Sequence, residues 1–348
     1  MEPFTHFLTG ACLSRAGFNR TTGLATLTLV LSAEAPDIDV IAGFWGPVAG
    51  FAHHRGFSHT LLGAPVMSAI VVASVWLGYK LWSRSGRRTR LPVRWWVLYL
   101  LALAGSLSHI LLDFTNNYGV RPFAPFNARW YSWDIIFIIE PVLLIVLALG
   151  LILPAIFSLV SAEVGEKRRP FRGQTSAICA LVLMVVFWLV RDVQHRQALA
   201  MLNSRAMQTG ATMRVGAMPY PVNPFRWFGV VETTNAYETF DVETRELHIN
   251  SNGREGTYYK PPESAADLAA KNSYLGRVYL DWARFPLTET SFNAEDQQYT
   301  VYFRDVRYMY SPLSSRDEAD IRNTLAAHVV LDHNLNVVEQ WMGNREQK

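Results

Sequence analysis

Residues 95–113 read WWVLYLLALAGSLSHILLD. The run from Trp95 to Leu112 is apolar and close to the roughly 20 residues a helix needs to cross the hydrocarbon core of a bilayer. Yet it closes on a histidine and an aspartate. His109 and Asp113 are four residues apart, which puts both on one face and at one end of such a helix. Ionisable side chains in a membrane helix cost roughly 2.5–3.5 kcal/mol by insertion scales, so a residue kept there is a functional candidate by default. The stretch therefore predicts a membrane-spanning helix with a polar site at its C-terminal end.

Working outward, three more segments are apolar enough to span: 60–82, 135–160 and the short, marginal 176–190. Two others, 4–17 and 22–33, are too short to cross and predict a partly embedded helical hairpin turning at Phe18-Asn19-Arg20. Composition agrees, with 50% of residues apolar and only 18% charged. The formal net charge is +3, and the basic residues cluster in two loops. Arg84, Arg87, Arg88, Arg90 and Arg94 follow the first span, and Lys167, Arg168, Arg169 and Arg172 follow the third. That pattern reads as membrane orientation rather than nucleic-acid binding. Both loops fall in the cytoplasm, and the connection bearing Arg121 and Arg129 falls outside with everything after the fourth span. Acidic Glu2 and the absence of a basic leader argue against a cleaved secretory signal. Cys12 and Cys179 form no CxxC pair and read as packing residues.

The remaining polar clusters converge on the same outer face. They are His6, Pro36-Asp37-Ile38-Asp39, and His53-His54-Arg55-Gly56-Phe57-Ser58-His59 at the start of the first span. Imidazole and carboxylate are the usual ligands of zinc or a similar divalent metal. More than four candidates suggests two or more ions, an arrangement suited to phosphoester hydrolysis by a metal-activated water. Each residue has a plainer role open to it. Asp37 and Asp39 follow a proline and could form an Asx turn or helix cap. His54 and His59 could hydrogen-bond within their loop, His53 reads as a neighbour, and Asp113 could orient a ligating histidine. Asp134 is as fitting at a helix start as on a metal. Arg55 could clamp a phosphate or mark the interface.

Thr5-His6, Pro36-Asp37-Ile38-Asp39, His54-Arg55-Gly56-Phe57-Ser58-His59 and Ser108-His109 with Asp113, followed by Asn117-Tyr118-Gly119, together resemble the YdjM-type inner-membrane metal-dependent hydrolases. These are also described as LexA-binding, inner-membrane-associated hydrolases. The resemblance covers about residues 1–155. It implies a bacterial inner-membrane location and a metal site formed by His6, Asp37, Asp39, His54, His59, His109 and Asp113.

The rest of the chain reads differently. Segments 227–234 and 236–242 alternate as a hairpin, 263–285 favours helix, and 299–308 and 328–341 read as further strands, the latter turning at Asp332-His333-Asn334. His248, His328 and His333 read as surface residues. The expected architecture is mainly α: a polytopic transmembrane bundle (1–192), a helical connector (193–214) and a soluble, extracytoplasmic α+β antiparallel domain (215–348). The expected function is membrane-bound, metal-dependent hydrolysis of a phosphoester or lipid-type substrate, with Asp37, Asp113 and Arg55 as the catalytic group. Membrane lipids and a small-molecule or lipid substrate are the expected partners, and nucleic acid is not. A non-catalytic metal-binding scaffold or sensor is the competing class.

Overall fold

The computed structural model describes residues 1–86, 89–163, 173–209, 212–250, 256–310 and 325–343. Arg87, Arg88, Lys167, Arg168, Arg169 and Arg172 of the two basic loops lie outside the described residues. The chain divides into two compact units, Met1–Asp39 with Arg55–Asp192, and Val40–His54 with Val193–Lys348.

The first unit is helical. Helix α1 (Pro3–Arg15) starts on a proline, and the Glu2 side chain accepts from the Thr5 N–H as its cap. A 3₁₀ turn at Phe18–Arg20 leads into α2 (Ala25–Glu34), so the expected hairpin is present. Small residues bring the helices together, as in membrane bundles generally. A Cβ on Gly10 would lie 2.9 Å from Ala33 Cβ, and one on Gly105 would run into Ser32 Oγ. After α2 the chain continues as a 3₁₀ segment, Ala35–Trp45, and then α3 (Pro47–His53).

Helices α4 (Gly63–Ser83) and α5 (Trp95–Thr115) follow. Both are long and apolar enough to cross a membrane, as is Gln174–Met207 of α7 (Gln174–Thr209). The Ser68 hydroxyl of α4 donates to the Ser106 hydroxyl of α5, which donates in turn to the Ser32 carbonyl of α2. Leu77, Leu100, Ile145, Val182 and Leu189 stay exposed on the helices, as lipid-facing residues would.

Two expected spans differ in extent. Residues 135–140 are not helical, because the N–H groups of Ile135 and Ile136 bond to the Thr115 carbonyl at 3.0 and 3.1 Å. Helix α6 (Pro141–Glu163) therefore begins on Pro141, later than the expected start of that span. The segment expected as a short fourth span is instead the start of a 36-residue helix. That helix runs through most of the expected connector, with Arg191 buried and bonded to the Ile135 carbonyl.

The second unit is α+β. One antiparallel sheet holds β1 (Thr212–Pro219), β2 (Arg226–Thr233) and β3 (Ala236–Glu243), with β4 (His248–Asn250) and β5 (Thr257–Tyr259) both paired to β3. The β2–β3 hairpin pairs Trp227 with Val242 and Val231 with Glu238. Trp227, Val231, Phe240 and Val242 pack with Ala198 and Leu202 from the C-terminal part of α7. A Cβ on Gly229 would lie 2.6 Å from Leu202 Cδ2, so the helix lies tight on the sheet there.

The expected helix 263–285 is two helices, α8 (Ala265–Asn272) and α9 (Tyr274–Trp282). They separate at Ser273, whose extended backbone stops α8 and whose side chain accepts from the Gly276 N–H to cap α9. A second sheet, β6 (Pro286–Asn293), β7 (Gln298–Asp305), β8 (Ala327–Leu331) and β9 (Val337–Met342), is an antiparallel meander. Phe51 of α3 packs its ring on Tyr279 and Trp282, with centroids at 5.9 and 5.3 Å. This joins the Val40–His54 excursion to the second unit, a pairing the sequence did not predict. His328 also departs from expectation. It is buried, between Tyr302 and Trp341 at 4.8 Å each, while His248 and His333 are exposed.

Candidate metal centre

Three segments of the first unit bring their polar residues to one point. Asp37 lies on the 3₁₀ segment after α2, and His59 ends a short 3₁₀ turn, Phe57–His59, just before α4. His109 and Asp113 face inward from the last turns of α5, both buried. Tight chain geometry sets His59. Thr60 Oγ1 accepts from the Gly63 N–H at 2.7 Å, and a Cβ on Gly63 would run into the Phe57 carbonyl.

The inward atoms are the two imidazole Nε2 atoms, Asp37 Oδ1 and Asp113 Oδ2. His59 Nε2 lies 3.1 Å from His109 Nε2, 3.3 Å from Asp37 Oδ1 and 3.3 Å from Asp113 Oδ2. His109 Nε2 lies 3.4 Å from Asp37 Oδ1 and 3.5 Å from Asp113 Oδ2. An ion bound tetrahedrally at about 2.0–2.2 Å holds its ligand atoms roughly 3.4 Å apart. The observed separations match that spacing.

The outer contacts fix which nitrogen faces in. His109 Nδ1 is 2.6 Å from the Ala33 carbonyl, and because a carbonyl only accepts, Nδ1 must carry the proton. The Nε2 lone pair of a neutral His109 therefore faces the centre. His59 Nδ1 is 3.2 Å from Asp39 Oδ2 and 3.2 Å from Ser58 Oγ, the histidine–carboxylate pairing common behind metal ligands. Asp113 Oδ2 is buried and has no hydrogen-bond partner among the described residues. Lone pairs and carboxylate oxygens converging at such distances repel one another unless a cation or protons lie among them, so the residues fit a divalent metal.

Asp113 Oδ1 is held from the opposite side. Arg55 Nη2 donates to it at 2.9 Å, and the Met1 amino nitrogen also contacts it. Arg55 Nη1 donates to Asn116 Oδ1 and to the Gly119 carbonyl at 3.1 and 2.8 Å, and the guanidinium lies 4.6 Å over the Tyr118 ring. Arg55 adopts φ +53, a left-handed conformation that costs a non-glycine residue of order 1–3 kcal/mol. Its N–H to Asp39 Oδ2 bond at 2.6 Å anchors it there.

Thus Asp37, His59, His109 and Asp113 form the metal-capable group found among the described residues. His6 lies beside it, with its ring stacked 3.7 Å from His109 and Nε2 3.5 Å from Asp113 Oδ1. Burial lowers its pKa well below the ordinary value, keeping the ring neutral. Asp39 stands one layer out, behind His59. His54 follows α3 as its C-cap in the other unit, its N–H on the Gly50 carbonyl. His53 is in the last turn of α3, and Asp134 is buried at φ +58 before α6; neither is in the group. The Ala33 carbonyl and Asn116 side chain were not foreseen. A backbone acceptor leaves no residue-type signal, although Asn116 adjoins the Asn117-Tyr118-Gly119 motif.

The family model described as YdjM inner membrane protein matches residues 1–198. The chain belongs to the YdjM family. All four residues of the candidate metal centre fall in the matched part. This YdjM-family chain is also 27% identical over 122 residues to "Uncharacterized protein YfhP" of Bacillus subtilis (strain 168), covering 35% of this chain and 33% of the relative. The match thus spans about a third of that relative's length. No solved structure matches the chain.

Proposed function

We propose that this YdjM-family protein is a membrane-bound metal-dependent hydrolase acting on a phosphoester or lipid-type substrate. The observation that carries the reading is the convergence of His59 Nε2, His109 Nε2, Asp37 Oδ1 and Asp113 Oδ2 at tetrahedral-ligand spacing. Imidazole with carboxylate suits zinc and related divalent ions, and such an ion supplies Lewis acidity and lowers the pKa of water. His59, His109 and Asp113 would hold it. Asp37, whose side chain is 27% exposed while the other three are at most 1%, is the ligand on the accessible side. It is the carboxylate best placed to accept a proton from an incoming nucleophile. Arg55 keeps Asp113 oriented and partly neutralises it, a positioning role. His6, with both ring nitrogens buried and without a hydrogen-bond partner among the described residues, is the residue that would extend the site toward a second ion.

The burial of three ligands also suits a non-catalytic metal site in a scaffold or sensor. Metal analysis of the purified protein, with a hydrolysis screen over phospholipids and soluble phosphoesters, separates the two readings. The hydrolase reading expects turnover that Asp37→Asn abolishes. Stoichiometric metal with no turnover across the screen favours the scaffold.

A further inference from the structure

At the other end of the first unit, about one membrane span from the metal-capable group along α5, lies a cleft of about 950 Å³. Its walls come from α1, the α1–α2 turn, the start of α2, the loop before α5, and α6. Its lining includes the polar side chains of Arg15, Asn19 and Arg90. It also includes the apolar Leu27, Leu151 and Pro154, with Leu27 48% exposed. We propose that this cleft binds the headgroup of one anionic glycerophospholipid, with its acyl chains along these apolar residues.

Four observations support this occupant. First, two arginines line the cleft, and Arg90 is exposed and makes no ion pair with a carboxylate among the described residues. An arginine fork suits phosphate oxygens. Second, α2 begins at the cleft on Leu24, which has φ 68 and supplies no side-chain cap. Leucine is among the poorest N-cap residues, so the first-turn N–H groups of Ala25, Thr26 and Leu27, residues that line the cleft, have no side-chain acceptor at the cap.

Third, Asn19 Oδ1 is buried with no hydrogen-bond partner among the described residues, placed to accept from a headgroup hydroxyl. Fourth, the cleft lies at an aromatic belt. Tyr79, Trp82 and Trp95 are in ring contact at the adjoining ends of α4 and α5, with Trp96 and Tyr99 stacked beside them. Tyrosine and tryptophan concentrate at headgroup depth. The basic loop residues Arg84, Arg90 and Arg94 at this end indicate the cytoplasmic leaflet. The exposed Leu27 and Ala155 give the site an apolar side that a soluble anion would not use.

The test is native mass spectrometry of the full-length, delipidated protein in neutral detergent, titrated with phosphatidylglycerol or phosphatidylcholine. One phosphatidylglycerol should bind at least about tenfold more tightly than phosphatidylcholine, from the charge contribution of two nearby arginines. The Arg15→Gln/Arg90→Gln variant should lose that preference while keeping its helical content and metal. If the double variant fails to fold, the exposed Arg90→Gln change alone carries the test and should reduce the preference severalfold. Equal binding of the two lipids, or an unchanged preference in a folded variant, would overturn the proposal. So would displacement of the lipid by inorganic phosphate at modest excess, which would mark a site for soluble anions.

Discussion

His59 and His109 are fifty residues apart in sequence, yet their Nε2 atoms lie 3.1 Å apart, and each imidazole has its other nitrogen against an outer acceptor. His109 leans on the Ala33 carbonyl and His59 on Asp39. This back-to-back bracing points two nitrogens at one place. It makes His109 the residue on which occupancy should depend most directly. His109→Ala should reduce bound metal severalfold, measured by elemental analysis, while circular dichroism shows the helices intact, since helix packing holds the bundle. Full metal occupancy in that variant would reduce His109 to a structural residue.

Arg55 holds Asp113 from behind through a fork that also reaches Asn116 and Gly119. Lysine keeps the charge but cannot make these contacts together. Arg55→Lys should weaken metal affinity by about 10–100-fold, the usual effect of losing a partner behind a ligand. Chelator competition measures it, and wild-type affinity would show that Asp113 needs no such support.

Gly105 lets α5 meet α2 at Ser32. A leucine there would force the helices apart or off their rotamers, costing about 1–3 kcal/mol by overpacking. The melting temperature of Gly105→Leu in detergent should fall, whereas the same change at Gly78, where nothing lies within 4 Å, should leave it unaltered. Equal effects at both sites would contradict the close packing.

In the second unit, burial and then the Arg304 guanidinium lower the His328 imidazole from its ordinary value of 6.5 to about 4. Neither ring nitrogen has a hydrogen-bond partner among the described residues. The unfolded chain binds a proton here from about pH 6.5 downward, whereas the folded chain does so only near pH 4. Stability from this group is therefore full above pH 6.5 and lost progressively as pH falls toward 4. His328→Phe keeps a ring between Tyr302 and Trp341 and should flatten that part of the denaturation profile. An unaltered slope between pH 6.5 and 4 would remove His328 from the acid response.

By the positive-inside rule, the two basic loops predict that the α+β unit lies outside the cytoplasm. A cysteine at exposed Glu295, in a chain with Cys12 and Cys179 replaced by serine, should react with a membrane-impermeant maleimide added to spheroplasts. Labelling only after the inner face is opened would place this unit in the cytoplasm and change the count of crossings.

The membrane class, the helical hairpin and the polar cluster were legible from sequence because their signals are local. A run such as 95–112 has few other stable uses, Phe18-Asn19-Arg20 interrupts two short apolar segments, and His109 with Asp113 share a face by helical periodicity alone. Strands β2 and β3 were legible from the alternation of their residues, although β2 is buried on both faces. Where tertiary contacts set the outcome, local pattern failed. Extended pairing of Ile135 and Ile136 with Thr115 delayed α6, and continuous packing carried α7 beyond the end of its apolar run. Phe51 joined the Val40–His54 segment to Tyr279 and Trp282. The roles within the polar cluster were likewise undetermined by sequence, since Asp37, Asp39 and Asp113 carry the same carboxylate. Only the fold decided that Asp39 braces His59 from behind while Asp37 and Asp113 face its Nε2, because that choice rests on the direction of each side chain, and direction comes from packing.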